Sequence, residues 1–315
     1  MGARLMMKLR VAAVVNTTAD VVHVRLVHPT RPKLPPWSPG AHVDLHLPDG
    51  RVRQYSLCGD PSDTAAYDIA VKREGRGRGG SLWIHDNLAQ DAVAHVSAPR
   101  NNFPLAETAE RHILVAGGIG ITPILTMARW LAARDQDFSL HYCAKSQTEA
   151  PFLKELHDIC GPRLRTWFSS VGQRFDPQVL GPPHEAVHVY GCGPVGLLEA
   201  MTAGILEAGW PAEQIHVEKF QSVLDENFVP EPFNVRLEST GEILAVPASS
   251  SLLDILLAKG LPIRSSCVAG ICGSCVCGYR DGDVIHRDAV IQLSERGHRI
   301  APCVSRGRGM LTLEF

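Results

Sequence analysis

Cys267-Val268-Ala269-Gly270-Ile271-Cys272-Gly273-Ser274-Cys275 is the stretch on which the reading turns, with Cys303 following after 27 intervening residues. This is the C-x4-C-x2-C…C spacing of a two-iron two-sulfur (2Fe-2S) cluster. Two sulfide-bridged ferric ions each need two further soft, anionic ligands, so four thiolates are required and a single loop wraps three of them. Gly270 and Gly273 let that loop turn tightly, so that backbone N–H groups point at the sulfurs. The competing reading is a structural zinc site, but its usual pattern is two separated C-x2-4-C pairs. Cys277 is then left over and reads as a buried structural thiol.

The rest of the chain supports a metal over a disulfide framework. Nine cysteines are present in 315 residues, an odd number, and Cys267, Cys272, Cys275 and Cys277 crowd together while the others are scattered. No segment reads as an export signal and no run approaches the ~18 apolar residues of a membrane span, so a soluble, cytoplasmic protein with reduced thiols is expected. A net charge of -2 with 45% hydrophobic and 20% charged residues speaks against disorder, nucleic-acid binding and attraction to an acidic membrane. The length calls for two or three packed units.

Working back from the cysteine loop, a hairpin over Asn234 to Leu237 and Glu242 to Val246 around Thr240-Gly241 precedes a helix from Ser251 to Ala258. This predicts an α+β, ferredoxin-like (β-grasp) unit over 226–315. Gln221 to Pro232 lacks periodicity and carries Pro230 and Pro232, so it reads as a linker. Upstream, His112 to Ala116, a helix from about Thr122 to Ala133, Phe138 to Cys143, His188 to Tyr190 and a helix from Val195 to Ala208 alternate strand and helix. They predict an α/β doubly wound domain over 106–225. Leu9 to Val15, Val21 to Val27 and His42 to Leu47 alternate apolar and polar residues and predict an antiparallel β-barrel over 1–105.

Arg53-Gln54-Tyr55-Ser56-Leu57 ends a barrel strand and has the make-up of a flavin site. Tyr55 offers a ring face and a hydroxyl, Ser56 a hydrogen bond to the flavin nitrogen that receives hydride, and Arg53 a counter-charge to phosphate. Gly75-Arg76-Gly77-Arg78-Gly79-Gly80-Ser81 follows, where glycines permit close backbone approach and Ser81 is placed to cap the next helix. A solvated turn or an RGG-like nucleic-acid segment is the alternative for this run; a near-neutral chain without interleaved aromatics argues against RNA.

Gly117-Gly118-Ile119-Gly120-Ile121-Thr122-Pro123 lies between a strand and a helix, and Tyr190-Gly191-Cys192-Gly193-Pro194 repeats that layout. Two such turns suit the two ends of a dinucleotide. Cys192 is read as lying against the nicotinamide near the hydride path, with a small buried hydrophobe as the alternative. Lys145 is placed to meet ribose or phosphate, or is an ordinary solvated lysine. His216, Glu218 and Lys219 are read as surface or packing residues at least as readily as functional ones.

In this order the three motif sets resemble the phthalate dioxygenase reductase family, which includes vanillate demethylase reductases, over essentially the whole chain. The resemblance implies FMN held by Arg53, Tyr55, Ser56, Leu57, Lys72, Gly79, Gly80 and Ser81, with Phe220 over the ring. It implies NADH, in preference to NADPH, along Gly117, Gly118, Gly120, Thr122, Lys145, Gly191, Cys192 and Gly193, with Ser56 and Cys192 at the point of hydride transfer. Cys267, Cys272, Cys275 and Cys303 would hold the cluster. Lys145 departs from the arginine of many relatives, which leaves the coenzyme preference open. The implied activity is a reductase component that passes electrons from NADH through FMN and the cluster to a separate Rieske-type oxygenase. The alternatives are a reductase for a cytochrome P450 or free flavin, and a redox-sensing interaction protein with a structural cluster.

Overall fold

The computed structural model describes residues 6–75, 79–220, 228–265, 268 and 270–315. The chain divides into two compact units, 1–218 and 219–315.

The first unit opens with an antiparallel sheet. Its strands are β1 (Met6–Thr18), β2 (Val21–Val27), β3 (Ala41–His46), β4 (Val52–Ser56), β5 (Ala66–Lys72), β6 (Val93–Ser97) and the short β7 (Arg100–Asn101), with helix α1 (Gly80–Asn87) between β5 and β6. The order is β4-β3-β6-β1-β2-β5, with β7 also on β3. Period-two patterning explains the burial: Met7, Leu9 and Val11 turn inward while Met6, Lys8 and Arg10 do not. Those side chains pack with Val24, Leu26, Val43, Leu45, Leu57, Tyr67, Ile69 and Val96 into one core, which also takes Ile84 from α1. An isolated antiparallel bridge from Leu57 to Ile69 links the chain just past β4 to β5. β1 runs three residues beyond the expected Val15, past register shifts at Val11/Ala13 and Asn16/Thr18 that absorb its twist.

The same unit continues with β8 (Arg111–Gly117), α2 (Ile121–Ala132), β9 (Asp137–Ala144), α3 (Leu153–Cys160), β10 (Leu164–Phe168), β11 (Val187–Cys192), α4 (Val195–Glu207) and β12 (Ile215–Glu218). These five strands are parallel in the order β10-β9-β8-β11-β12, so the first is central. A central parallel strand is covered on both faces, which is why His112 to Gly117 is buried without alternation. On one face Leu198, Met201 and Ile205 of α4 pack on Ile113, Val115 and Val189. Every residue of α2 from Ile121 to Ala128 is buried.

The second unit contains β13 (Phe233–Leu237), β14 (Ile243–Val246), α5 (Leu252–Ala258), β15 (Cys277–Ile285), β16 (Arg299–Ile300) and β17 (Arg306–Leu313), in the sheet order β14-β13-β17-β15-β16. β13 pairs antiparallel with β14 and parallel with β17. Ser251 caps α5 in a capping box with Asp254. Arg306, 6% exposed, donates to the carbonyls of Glu231, Pro247 and Ser250, tying the start of this unit to the α5 approach. No helix among the described residues is long and apolar enough to cross a membrane.

Candidate functional site

On the flavin side, β4 carries Arg53, Tyr55 and Ser56 toward the glycine run. A Cβ on Gly80 would lie 2.3 Å from Arg53 Nε, and one on Gly79 would lie 2.7 Å from Arg51 Nη1. Gly79 precedes α1 at φ +73°. Two guanidinium groups therefore reach the first turn of α1 only because neither residue has a side chain, and this is a cradle suited to phosphate. Sequence reasoning missed Arg51, although it stands two residues before Arg53, on the same face of an extended chain. Ser81 does not cap the helix as expected. Its hydroxyl accepts the Glu74 N–H at 3.1 Å, because the helix begins one residue earlier, after a left-handed glycine. Arg76, Gly77 and Arg78 lie outside the described residues.

Tyr55 is half-buried against the first core, and burial pushes its phenol well up. Leu57 is a core side chain with its N–H given to Ala41. Lys72, at the end of β5, makes long ion pairs with Asp20 (3.9 Å) and Glu74 (3.6 Å). Phe220 falls in the second unit, two residues past β12, half-buried.

The two nicotinamide turns pack against each other. A Cβ on Gly120 would lie 2.3 Å from the Cys192 carbonyl oxygen, and one on Gly193 2.9 Å from the Gly117 Cα. Gly191 makes room for Met201 of α4. These glycines thus allow backbone-to-backbone contact between the ends of β8 and β11, in addition to any ligand approach. Gly118 differs: it adopts φ +53° with open space around it. Thr122 is buried and donates to the Ile119 carbonyl at 3.1 Å, holding the turn. Lys145 is an exposed side chain 3.4 Å from Glu149.

At the carboxyl ends of β4, β11 and β12, Ser56, Cys192 and Glu218 come together. Ser56 Oγ donates to Glu218 Oε2 at 3.3 Å, and Cys192 Sγ lies 4.0 Å from the same oxygen. Glu218 is half-buried as a residue, but its carboxyl is withdrawn from water, and this burial raises it to about 8 against the opposing Ser56 bond. Burial and then Glu218 push the Cys192 thiol well up, so it is a protonated, inert donor. Sequence reasoning left Glu218 open between a functional role and a surface or packing one. The available signal was its place at the carboxyl end of the last parallel strand, in register with Cys192, where such sheets bind ligands. His216 packs, stacking on Tyr190 and bonding His188 at 2.8 Å.

In the second unit Cys272, Cys275 and Cys303 are buried, and the Sγ atoms of Cys275 and Cys303 are 3.3 Å apart. Cys267 lies outside the described residues, and among those that are described no three His, Cys, Asp or Glu side chains converge as metal ligands. Gly270 and Gly273 take φ +69° and +67°. Asp288, also missed from sequence, fixes the loop from behind. It accepts from Ser305 Oγ at 3.1 Å and the Ile291 N–H at 2.8 Å, while Ala289 N–H bonds the Gly270 carbonyl. The Cys303 bond lowers the Cys275 thiol, whereas burial and then Cys275 push Cys277 up to about 12. Cys277 packs on the β-sheet core, in keeping with a structural thiol. Buried soft donors, one of them favouring the thiolate, suit an iron–sulfur cluster.

Residues 235–306 match the 2Fe-2S iron–sulfur cluster binding domain family. Over 310 residues the chain is 38% identical to the vanillate O-demethylase oxidoreductase of Pseudomonas sp. strain HR199, covering 96% of this chain and 98% of that one. The solved structure of phthalate dioxygenase reductase, described as modular for electron transfer from pyridine nucleotides to [2Fe-2S], superposes with a TM-score of 0.73 at 35% identity over 98% of both chains. The chain belongs to the phthalate dioxygenase reductase family.

As a member of that family it is a multi-domain electron-transfer oxidoreductase that uses a flavin, a pyridine nucleotide and a 2Fe-2S cluster. The family's ferredoxin match takes in all four expected ligands, Cys267 included. The chain also superposes on an intact type IV self-sufficient cytochrome P450 monooxygenase, with a TM-score of 0.85 at 37% identity. It spans 98% of its own length there and 41% of that larger chain.

Proposed function

We propose that this chain is the NADH-dependent reductase component of a Rieske-type aromatic-ring dioxygenase or demethylase system, carrying FMN on its first sheet and delivering electrons to a separate oxygenase. The observation that carries the reading is the meeting of Ser56, Cys192 and Glu218 at one point, where the flavin strand and the nicotinamide turn supply one side chain each. The Leu57–Ile69 bridge supports a barrel for the first sheet, and the mixed sheet with α5 supports a β-grasp for the last.

A bound flavin supplies the exchange between a two-electron hydride donor and a one-electron iron–sulfur acceptor. Arg51, Arg53 and the α1 N-terminus bind its phosphate. Ser56 offers its hydroxyl beside the ring and holds Glu218 in place. Cys192, fully buried, keeps water from the hydride path. Glu218 retains its proton at neutral pH and adds no charge there. Cys267, Cys272, Cys275 and Cys303 ligate the cluster.

An anaerobic NADH titration followed by absorbance and by low-temperature electron paramagnetic resonance tests the reading. Flavin bleaching together with a rhombic reduced-cluster signal is expected; bleaching with no such signal and zinc in the metal analysis would overturn it. A second reading, service to a cytochrome P450, is favoured by the superposition on the P450 fusion. Coupled turnover with a P450 and none with Rieske oxygenases would select it.

A further inference from the structure

A cavity of about 120 Å³ lies on one face of the parallel sheet, lined by Arg111, Ser139, His141, Arg163, Arg165 and Leu180. Arg111 opens β8 and Arg165 stands near the start of β10, paired in register with His141. These are the amino ends of their strands, opposite to the carboxyl ends where Gly117 and Cys192 form the dinucleotide turns. We propose that this cavity is a second binding site, for a small oxyanion of the phosphate class.

Charge and hydrogen-bonding capacity both favour an anion. Arg111 and Arg163 reach exposed aspartates only at long range, Asp137 at 3.6 Å and Asp135 at 3.7 Å, and Arg165 has no carboxylate partner among the described residues. Three guanidinium groups against two solvated carboxylates leave net positive charge, and three forks from separate backbone positions suit a tetrahedral oxyanion better than a planar one. His141, 3% exposed, has an Nδ1 with no hydrogen-bond partner among the described residues. Its ring stacks on Trp167 at 6.1 Å. Buried polar atoms are seldom left this way unless a ligand or water serves them. Burial, then Arg165 and Arg111, hold the imidazole down to about 4. An oxyanion among the arginines reverses that repulsion and raises it.

The test uses the full chain with flavin and cluster bound and its histidines carbon-13 labelled, titrated with inorganic phosphate at constant ionic strength in the presence of saturating NADH. The His141 resonance, assigned by its loss in His141→Asn, is expected to move saturably and to titrate at higher pH with phosphate bound. Arg165→Gln removes an exposed side chain; it is expected to weaken phosphate about tenfold or more while leaving flavin reduction by NADH unchanged. A non-saturating drift, equal affinity in Arg165→Gln, or the disappearance of phosphate binding when NADH is present would overturn the site. Equal saturation by acetate would overturn the phosphate class.

Discussion

Ser56 and Glu218, separated by 162 positions in the chain, share a hydrogen bond of 3.3 Å at the meeting of an antiparallel and a parallel sheet. The bond joins a hydroxyl donor at the end of β4 to a carboxyl at the end of β12 whose burial favours the protonated form.

Ser56→Ala removes the hydroxyl and little else. Reduction of the bound flavin by NADH is expected to slow about a hundredfold or more, as for other preorganised donors. Flavin content should stay at wild-type level and stability should change by no more than about 1 kcal/mol. Anaerobic stopped-flow absorbance measures the first and chemical denaturation the second; an unchanged rate would remove Ser56 from the hydride path.

The Glu218 carboxyl, raised from 4.5 to about 8 by burial, is favoured protonated in the fold. Its contribution to stability is fully present below the ordinary value and is lost as pH rises through about 8. Thermal midpoints of wild type, taken relative to Glu218→Gln, should fall across that window and level off above it. Parallel curves for the two proteins would show that the carboxyl is solvated.

Gly120→Ala and Gly118→Ala separate packing from backbone conformation. At Gly120 the added Cβ meets backbone atoms of Cys192 and Gly193, which cannot swing aside, and a cost of about 3 kcal/mol or more is expected. At Gly118 only the left-handed φ resists, at about 1 kcal/mol. Urea unfolding of the two variants gives the ranking, and the reverse order would refute the contact between the turns.

Cys275→Ser should lose iron and all transfer to a one-electron protein acceptor while keeping flavin reduction by NADH. Cys277→Ser should keep both iron and transfer, at a cost of about 1 kcal/mol from its partly buried place. Iron analysis and acceptor turnover on the two proteins distinguish ligand from packing thiol. Iron loss in both would bring Cys277 into the ligand set.

Much of the fold is legible in the order of residues. β2 runs over the residues its alternation marks, and the helices after both glycine turns begin within a residue of their expected starts. Helix α5 starts one residue after the expected Ser251, which serves as its cap. Each of these rests on local periodicity or turn chemistry, which neighbouring residues carry by themselves. Ser81 misleads because a serine near a helix start looks the same whether the helix begins after it or before it. Only the left-handed Gly79 settles which.

Residue order alone sets the succession of three sheet-forming modules, the spacing of the cysteines, and the positions where backbone has to come close to something. It does not say what comes close. That Gly120 faces Cys192, that Arg51 joins Arg53 beside Gly79 and Gly80, and that Glu218 rather than a surface partner receives the Ser56 hydrogen bond are consequences of strand order and register. The environment that keeps the Glu218 carboxyl neutral exists only once two sheets have excluded water from it. Spacing along a chain encodes local geometry, whereas burial and long-range pairing arise from the packing of segments that lie far apart in the chain.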